Sequence, residues 1–263
     1  MATQADLKTT SVPAPAHVEG AFKFLRDTFS VLEMKLIYMR QTWQWYLLGG
    51  LMFPMGMFYW ARAMAPDDPE AVRRLITGTI VFGVSIMTAN SLSDQLVQDR
   101  FQGRLKLLIT MPMSKGSYAI GVLAFASIQA ASTVVLLLTL GFASGVDFDL
   151  TLALPVIILP MLLMMAGLTL LLASLAPSAE VGGIINGLVG ILPVMLSPVF
   201  FTMDQAPLLM RWLGWVSPFR YAADGIMKSI SGQSDIWSEF AVLAAFAVLL
   251  MAVGIWRMRW RER

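Results

Sequence analysis

Residues Leu154–Leu175 read LPVIILPMLLMMAGLTLLLASL, an unbroken apolar run with no charged side chain. About twenty apolar residues in a helix cross the ~30 Å hydrocarbon core of a bilayer, so this run is long enough to span. It must do so as a helix, because an open strand would leave unpaired backbone N–H and C=O groups in lipid. Five further stretches approach or exceed the same length: Trp43–Ala61, Leu75–Val97, Tyr118–Phe142, Val181–Phe201 and Trp237–Trp256. Only Ala176-Pro177-Ser178-Ala179-Glu180 separates the fourth from the fifth. The expected fold is an all-α integral membrane protein with six transmembrane helices.

Composition agrees. Of 263 residues 57% are hydrophobic and 14% charged, against about 25% charged in soluble domains. An ion at the bilayer centre costs about 2.5–3.5 kcal/mol on insertion scales, which is why a lipid-facing surface sheds charge. Cysteine is absent, so there is neither a disulfide framework nor a thiolate metal site. The net charge of +2 gives no ground for a nucleic-acid partner. Residues 1–20 are polar with no apolar h-region. They read as a disordered cytoplasmic tail and not as a signal peptide.

Lysine and arginine set the orientation. One side collects Lys8, Lys23, Arg26, Lys35 and Arg40, then Arg100, Arg104, Lys106 and Lys115, then Arg257, Arg259, Arg261 and Arg263. The other has Arg62, Arg73, Arg74, Arg211, Arg220 and Lys228. The more basic side belongs in the cytoplasm, which places both termini inside and the loop between the fifth and sixth spans outside. Residues 21–41 precede the membrane domain (42–263) with a pattern of their own. Phe22, Leu25, Phe29, Leu32, Leu36 and Met39 recur at steps of three and four, one face of an amphipathic helix. Two placements are open for it: in the inner interface with that face in lipid, or packed on a soluble partner. Trp43, Trp45 and Tyr46, then Tyr59 and Trp60, form aromatic belts at the two ends of the first span.

Between the second and third spans lies Gln98-Asp99-Arg100-Phe101-Gln102-Gly103-Arg104-Leu105-Lys106-Leu107-Leu108-Ile109-Thr110-Met111-Pro112-Met113-Ser114. It is too charged to cross and too apolar to be a solvated loop. As a helix it would put Phe101, Leu105 and Leu108 on one face and turn Arg100, Arg104 and Lys106 away, and Pro112 would end it. Such a helix suits docking into a cleft on another protein, or it is an ordinary interfacial helix.

The order Asp99-Arg100, Gly103, Leu105, Leu107-Leu108, Pro112, Ser114 resembles the acidic-Arg, Gly-Thr-Leu-Glu, Leu-Leu, Pro-Val-Ser signature of the type-two ABC exporter permeases. A later stretch is also similar to that family's pattern: Leu196-Ser197-Pro198, Phe200-Phe201, Pro207, Trp212, then Ser217-Pro218-Phe219-Arg220-Tyr221-Ala222-Ala223-Asp224. The likeness covers roughly residues 22–260. Arg104 stands where the family has Thr, Lys106 where it has Glu and Pro198 where it has Gly. The resemblance implies that the segment around Asp99, Arg100, Phe101, Gly103, Arg104, Leu105, Leu107, Leu108 and Pro112 is a cytoplasmic coupling helix on an ATPase subunit. It implies two such subunits carrying ATP and Mg, with no cofactor on this chain, beneath two permease copies or two related chains in a bacterial inner membrane. It also implies that residues 201–238 form a re-entrant hairpin closing the outer exit, with Phe200, Phe201, Trp212, Trp215 and Tyr221 as gate residues. Read from the residues alone, Pro207 and Pro218 divide that loop into two short helical pieces, lying at the outer interface or dipping back in.

Other membrane residues leave paired readings. Gly183 and Gly187 make a GxxxG, which lets helices approach closely, at a seam between copies, beside the transport path or within one subunit. Gln129 and Asn186 are amides inside spans that line a pathway or bond between helices. Thr88, Asn90, Ser91, Ser93, Asp94 and Gln95 make the inner end of the second span polar, as an entrance or as a helix emerging into headgroups. Asp67, Asp68, Glu70, Asp147, Asp149, Asp204 and Asp224 map near or beyond the outer edge, and most of them read as solvated loop charge.

No P-loop Gly-x-x-x-x-Gly-Lys-Ser/Thr occurs, and the one histidine is His17, outside every span. The imidazole needed by intramembrane Ser–His or His-metal peptidases is therefore missing from the spans, and so is a deep carboxylate pair for a proton relay. No catalytic or metal-binding residue is expected. The expected function is the membrane half of an ATP-driven exporter for a drug-like, lipid or glycoconjugate molecule. Two other classes are a scaffold or assembly factor that recruits a soluble partner, and a secondary transporter. The latter would show two matched three-span halves, and no convincing repeat is present.

Overall fold

The computed structural model describes residues 20–41, 43–45, 52–64, 69–101, 114–200, 202–204 and 206–257. Among them the chain is helical, without strands, beyond one isolated bridge between Asp149 and Ser231. After a one-turn piece at Trp43–Trp45, the elements are α1 (Ala21–Gln41), α2 (Met52–Met64), α3 (Pro69–Phe101), α4 (Lys115–Ala143), α5 (Ala153–Leu175), α6 (Ala179–Met195), α7 (Leu208–Val216), α8 (Pro218–Ile230) and α9 (Trp237–Arg257); α1 is preceded by Gly20.

Among the described residues four helices hold stretches long and apolar enough to cross a membrane: Pro69–Leu92, Gly116–Ala143, Ala153–Leu172 and Trp237–Gly254. Of the six expected spans, the fifth is shorter here and the first is described only in part. The described part of the first is α2, and residues 46–51 of that stretch lie outside the described residues. The fifth ends at Met195, although apolar sequence continues to Phe201. The reason is local. Pro193 removes a helix N–H, Pro198 disfavours helical backbone at Ser197, and the Ser197 hydroxyl bonds back to the Pro193 carbonyl at 2.6 Å.

α3 is the axis of the bundle. It packs against α2, α4, α5, α6 and α8, and 83% of its apolar window is buried, against 22% for α9 on the periphery. Ile76, Ile80, Val81 and Val84 are among its buried apolar residues, and Thr77 and Thr79 are buried beside them with their hydroxyls bonded to carbonyls one turn back. That back-bonding lets a threonine enter an apolar interior. The helix has 33 residues, about 50 Å at 1.5 Å per residue. It begins six residues before the expected second span and continues through Gln98–Phe101 without a break. Gln, Asp and Arg are adequate helix formers, and no glycine or proline intervenes before Gly103. The first four residues expected in a separate coupling helix are therefore the end of the spanning helix, and residues 102–113 lie outside the described residues.

Small residues set the other contacts. The most extensive helix pair is α5 with α9, where a Cβ on Gly167 would lie 2.6 Å from the Met251 nitrogen and one on Gly254 would lie 3.1 Å from the Gly167 oxygen. α1 lies on α4, with Val31 seated against Gly121 and Phe24 beside Gly116. Its packed face is thus Phe24, Thr28 and Val31, about a third of a turn from the apolar face read in the sequence. Phe22, Leu25 and Phe29 of that face are uncovered. α4 starts at Ser114, whose hydroxyl accepts from the Ser117 N–H at 3.0 Å, a cap worth about 1 kcal/mol. It closes at Gly145, whose φ of +77° suits glycine. The following loop is tied to the end of α8 by Asp149 N–H to Ile230 O (3.0 Å) and Thr151 N–H to Ser229 O (3.1 Å).

Candidate functional site

Three regions carry the residues singled out in the sequence. At the end of α3 marked basic by the loop that follows, only the backbone of Asp99, Arg100 and Phe101 is described. Gly103, Arg104, Leu105, Leu107, Leu108 and Pro112 lie outside the described residues.

The second region is the flank formed by α2, α3 and α6. An open groove of about 500 Å³ is lined by Met52, Phe53, Met57 and Trp60 of α2, Phe82 of α3, and Ile191 and Met195 of α6. The Phe53 and Phe82 rings stack at 5.7 Å. No side chain in that lining carries charge. α6 turns Gly190 toward Ile86 and Ala89 of α3, while a Cβ on Gly183 or Gly187 would meet nothing within 4 Å. Among the described residues, then, neither glycine of this GxxxG packs against another helix. Its flanking residues Ile184, Leu188 and Leu192 are exposed too. If a second copy packs here, Gly187→Ile should lower the yield of a disulfide-crosslinked dimer through an engineered Ile184→Cys by about tenfold, since a β-branched side chain holds the backbones apart. Unchanged crosslinking would place the seam elsewhere.

Gln129 is buried on α4, and the side chain of Asn186 lies outside the described residues. Thr88 and Thr169 are buried with hydroxyls that have no partner among the described residues. Thr88 stood out in the sequence as part of a polar helix end. Thr169 did not, because a lone threonine in an apolar run carries no pattern.

The third region is the opposite end, where α3, α5 and α9 begin. Asp224 of α8 forms ion pairs with Arg74 (Nη2, 2.8 Å) and with Arg220 (Nε, 3.3 Å). The Arg220 guanidinium lies 4.8 Å from the Trp215 ring centre and 5.4 Å from that of Tyr221, a cation–π arrangement. The Tyr221 hydroxyl donates to the Trp215 carbonyl at 3.2 Å. Lys228 bonds Glu239 at 2.9 Å and the Asp235 carbonyl at 3.1 Å, fastening α8 to α9. Arg73 donates to the Asp147 carbonyl at 3.1 Å. Asp224 is thus an ion-pair centre between two helices and not a solvated loop charge. Its spacing from Arg220 is the i,i+4 step of a helix, which the sequence could have offered, whereas nothing in the sequence pairs it with Arg74.

Of the five expected gate residues, Trp215 and Tyr221 meet at Arg220. Trp212 is exposed and apart. Phe200 packs on α3 where Gly78 leaves room, a Cβ there being 2.5 Å from its ring. Phe201 lies outside the described residues. The hydroxyls of Ser197 and Ser217 bond to each other, joining the end of α6 to the α7–α8 junction.

Among protein families, one described as the ABC-2 type transporter family matches residues 31–230. No individual curated protein matches the chain.

Proposed function

The chain belongs to the ABC-2 type transporter family, an integral membrane transport component, and on that premise we propose that it is the permease of an ATP-driven exporter powered by a separate ATPase chain. The observation that carries the reading is α3. One uninterrupted helix runs from the motif segment at Asp99–Phe101, through the centre of the bundle, to the ion pair at Arg74. The coupling segment through Pro112 is where two ATPase subunits, with their ATP and Mg, would push as they close. A helix fixed on five neighbours transmits such a push as a rigid shift between packed states. Arg74 then carries it to α8 and the aromatic gate.

Two copies would face each other across the α2/α3/α6 flank, since a single bundle of this size encloses little cavity. The lipid-like groove there favours a drug-like or lipid molecule rather than a glycoconjugate, because sugar hydroxyls entering it would lose their water without gaining partners. The basic side is cytoplasmic in this reading. Both termini lie on the cytoplasmic side of a bacterial inner membrane, with α1 in the inner interface, its Phe22/Leu25/Phe29 face in lipid.

Inside-out vesicles carrying the chain with its ATPase should accumulate an apolar fluorescent dye only when ATP is supplied. Ile191→Asp, which puts a charge in the groove, should cut that accumulation about tenfold, the equivalent of about 1.4 kcal/mol. ATP-independent accumulation, or an Ile191→Asp variant equal to wild type, would contradict the reading.

A further inference from the structure

We propose that Arg74 and Arg220 form a binding site for the phosphate of an anionic phospholipid headgroup. The inference rests on the chain being an integral membrane protein and is independent of the export reading.

Depth comes first. α3, α5 and α9 all begin at this end of the bundle, so it marks one edge of the membrane. Arg74 lies five residues into α3, about 7–8 Å along its axis, within the layer where headgroup phosphates sit. Charge comes second. Two guanidiniums share one carboxylate, Asp224, leaving the trio with a surplus positive charge. Arg74 Nε, Arg220 Nε and Arg220 Nη1 are buried atoms with no hydrogen-bond acceptor among the described residues, so a ligand would first meet the exposed remainder of the two guanidiniums. A guanidinium in a partly desolvated site is satisfied best by a planar pair of anionic oxygens, and a phosphodiester offers two. The side chains of Arg74, Arg220 and Asp224 keep 16%, 17% and 25% of their surface exposed, so the trio opens to the exterior.

The surroundings select a lipid as the source. Trp215, which lies against Arg220, belongs to α7, and α7 presents Leu208, Leu209, Trp212 and Val216 uncovered. That nine-residue helix has an apolar, tryptophan-rich face uncovered among the described residues, the composition of a membrane-interface anchor. Acyl chains against α7 would place their phosphate beside Arg220. A choline group brings a cation to a site already in positive excess, so phosphatidylglycerol should be preferred to phosphatidylcholine.

The test is native mass spectrometry of the full chain in mild detergent, titrated separately with phosphatidylglycerol, phosphatidylcholine and inorganic phosphate. Phosphatidylglycerol is expected to be retained about tenfold more tightly than phosphatidylcholine, and Arg220→Gln or Arg74→Gln should each abolish the preference, the loss of one charge-assisted contact being worth about tenfold or more. Arg220→Lys keeps charge and bulk but not the two-pronged geometry. It should lose part of the preference, about threefold, and it supplies the answer if the glutamine variants do not fold. Arg211→Gln removes an exposed arginine that bonds only loop carbonyls and should bind like wild type. Equal retention of the two lipids, full retention in the Arg220 and Arg74 variants, an equal loss in Arg211→Gln, or displacement of the lipid by millimolar inorganic phosphate would each overturn the proposal.

Discussion

Gly167→Val is expected to lower the melting temperature of the purified chain by about 6–12 °C. A residue of this size inserted into a filled interior costs about 3 kcal/mol when nothing can give way, and each kcal/mol moves the midpoint by about 2–4 °C in a chain of this length. At Gly167 nothing gives way easily, because the atoms a Cβ would strike include the Met251 nitrogen and the Leu250 carbonyl carbon, which are backbone. Side-chain rotation cannot relieve the overlap, so α5 and α9 must move apart. Lipid offers little hydrophobic drive to hold helices together, and close packing carries much of their association. Gly254→Ala, 3.1 Å from the Gly167 oxygen, should show a smaller drop. Gly56→Ala, with nothing within 4 Å, should leave the midpoint unchanged or slightly raised, as alanine is the better helix former. Equal midpoints for Gly167→Val and wild type, read by fluorescence-detected melting in detergent, would mean that the α5–α9 crossing is not the firm contact described.

Leu107→Asp with Leu108→Asp is expected to abolish association with the ATPase while leaving that melting temperature alone. If these two leucines are the buried anchors of the coupling segment, each is worth about 2 kcal/mol at the interface, and losing both weakens binding by about a thousandfold. Gly103→Val should act in the same direction. Affinity capture of the ATPase on the immobilised chain checks this. Undiminished capture would move the docking site away from residues 98–114.

The elements most legible in the sequence were those whose limits lipid dictates. Leu154–Leu175 and Trp237–Trp256 each fall within a residue or so of α5 and α9, because a run of apolar residues must stop where the bilayer stops. Legibility fell where another rule sets the limit. α3 overruns its apolar stretch at both ends, as helix propensity does not end at the headgroups, and α6 stops short of its own because of proline. On α1 the periodic face found in the sequence is uncovered at Phe22, Leu25 and Phe29 and half-buried at Leu32, Leu36 and Met39. The packed face depends on Val31 meeting Gly121 of a different helix, and that pairing leaves no periodic trace. The same holds at the candidate sites. The GxxxG was visible, but whether its glycines face inward depends on Gly190, three residues on, meeting α3. Arg74 and Asp224 are far apart in sequence, and nothing in the outer-edge charges or the late motif pairs them; only the placement of α8 against α3 makes them partners.

The exporter reading holds that a separate ATPase drives this chain. It is tested most directly by purifying the chain with a co-expressed ATPase subunit and measuring ATP hydrolysis in nanodiscs with and without an apolar substrate. A stable complex should hydrolyse ATP, the rate should rise with substrate, and the Leu107→Asp, Leu108→Asp variant should remove that rise. A chain that purifies alone, and whose dye efflux persists in ATP-depleted cells but stops when the proton gradient is collapsed, would contradict it.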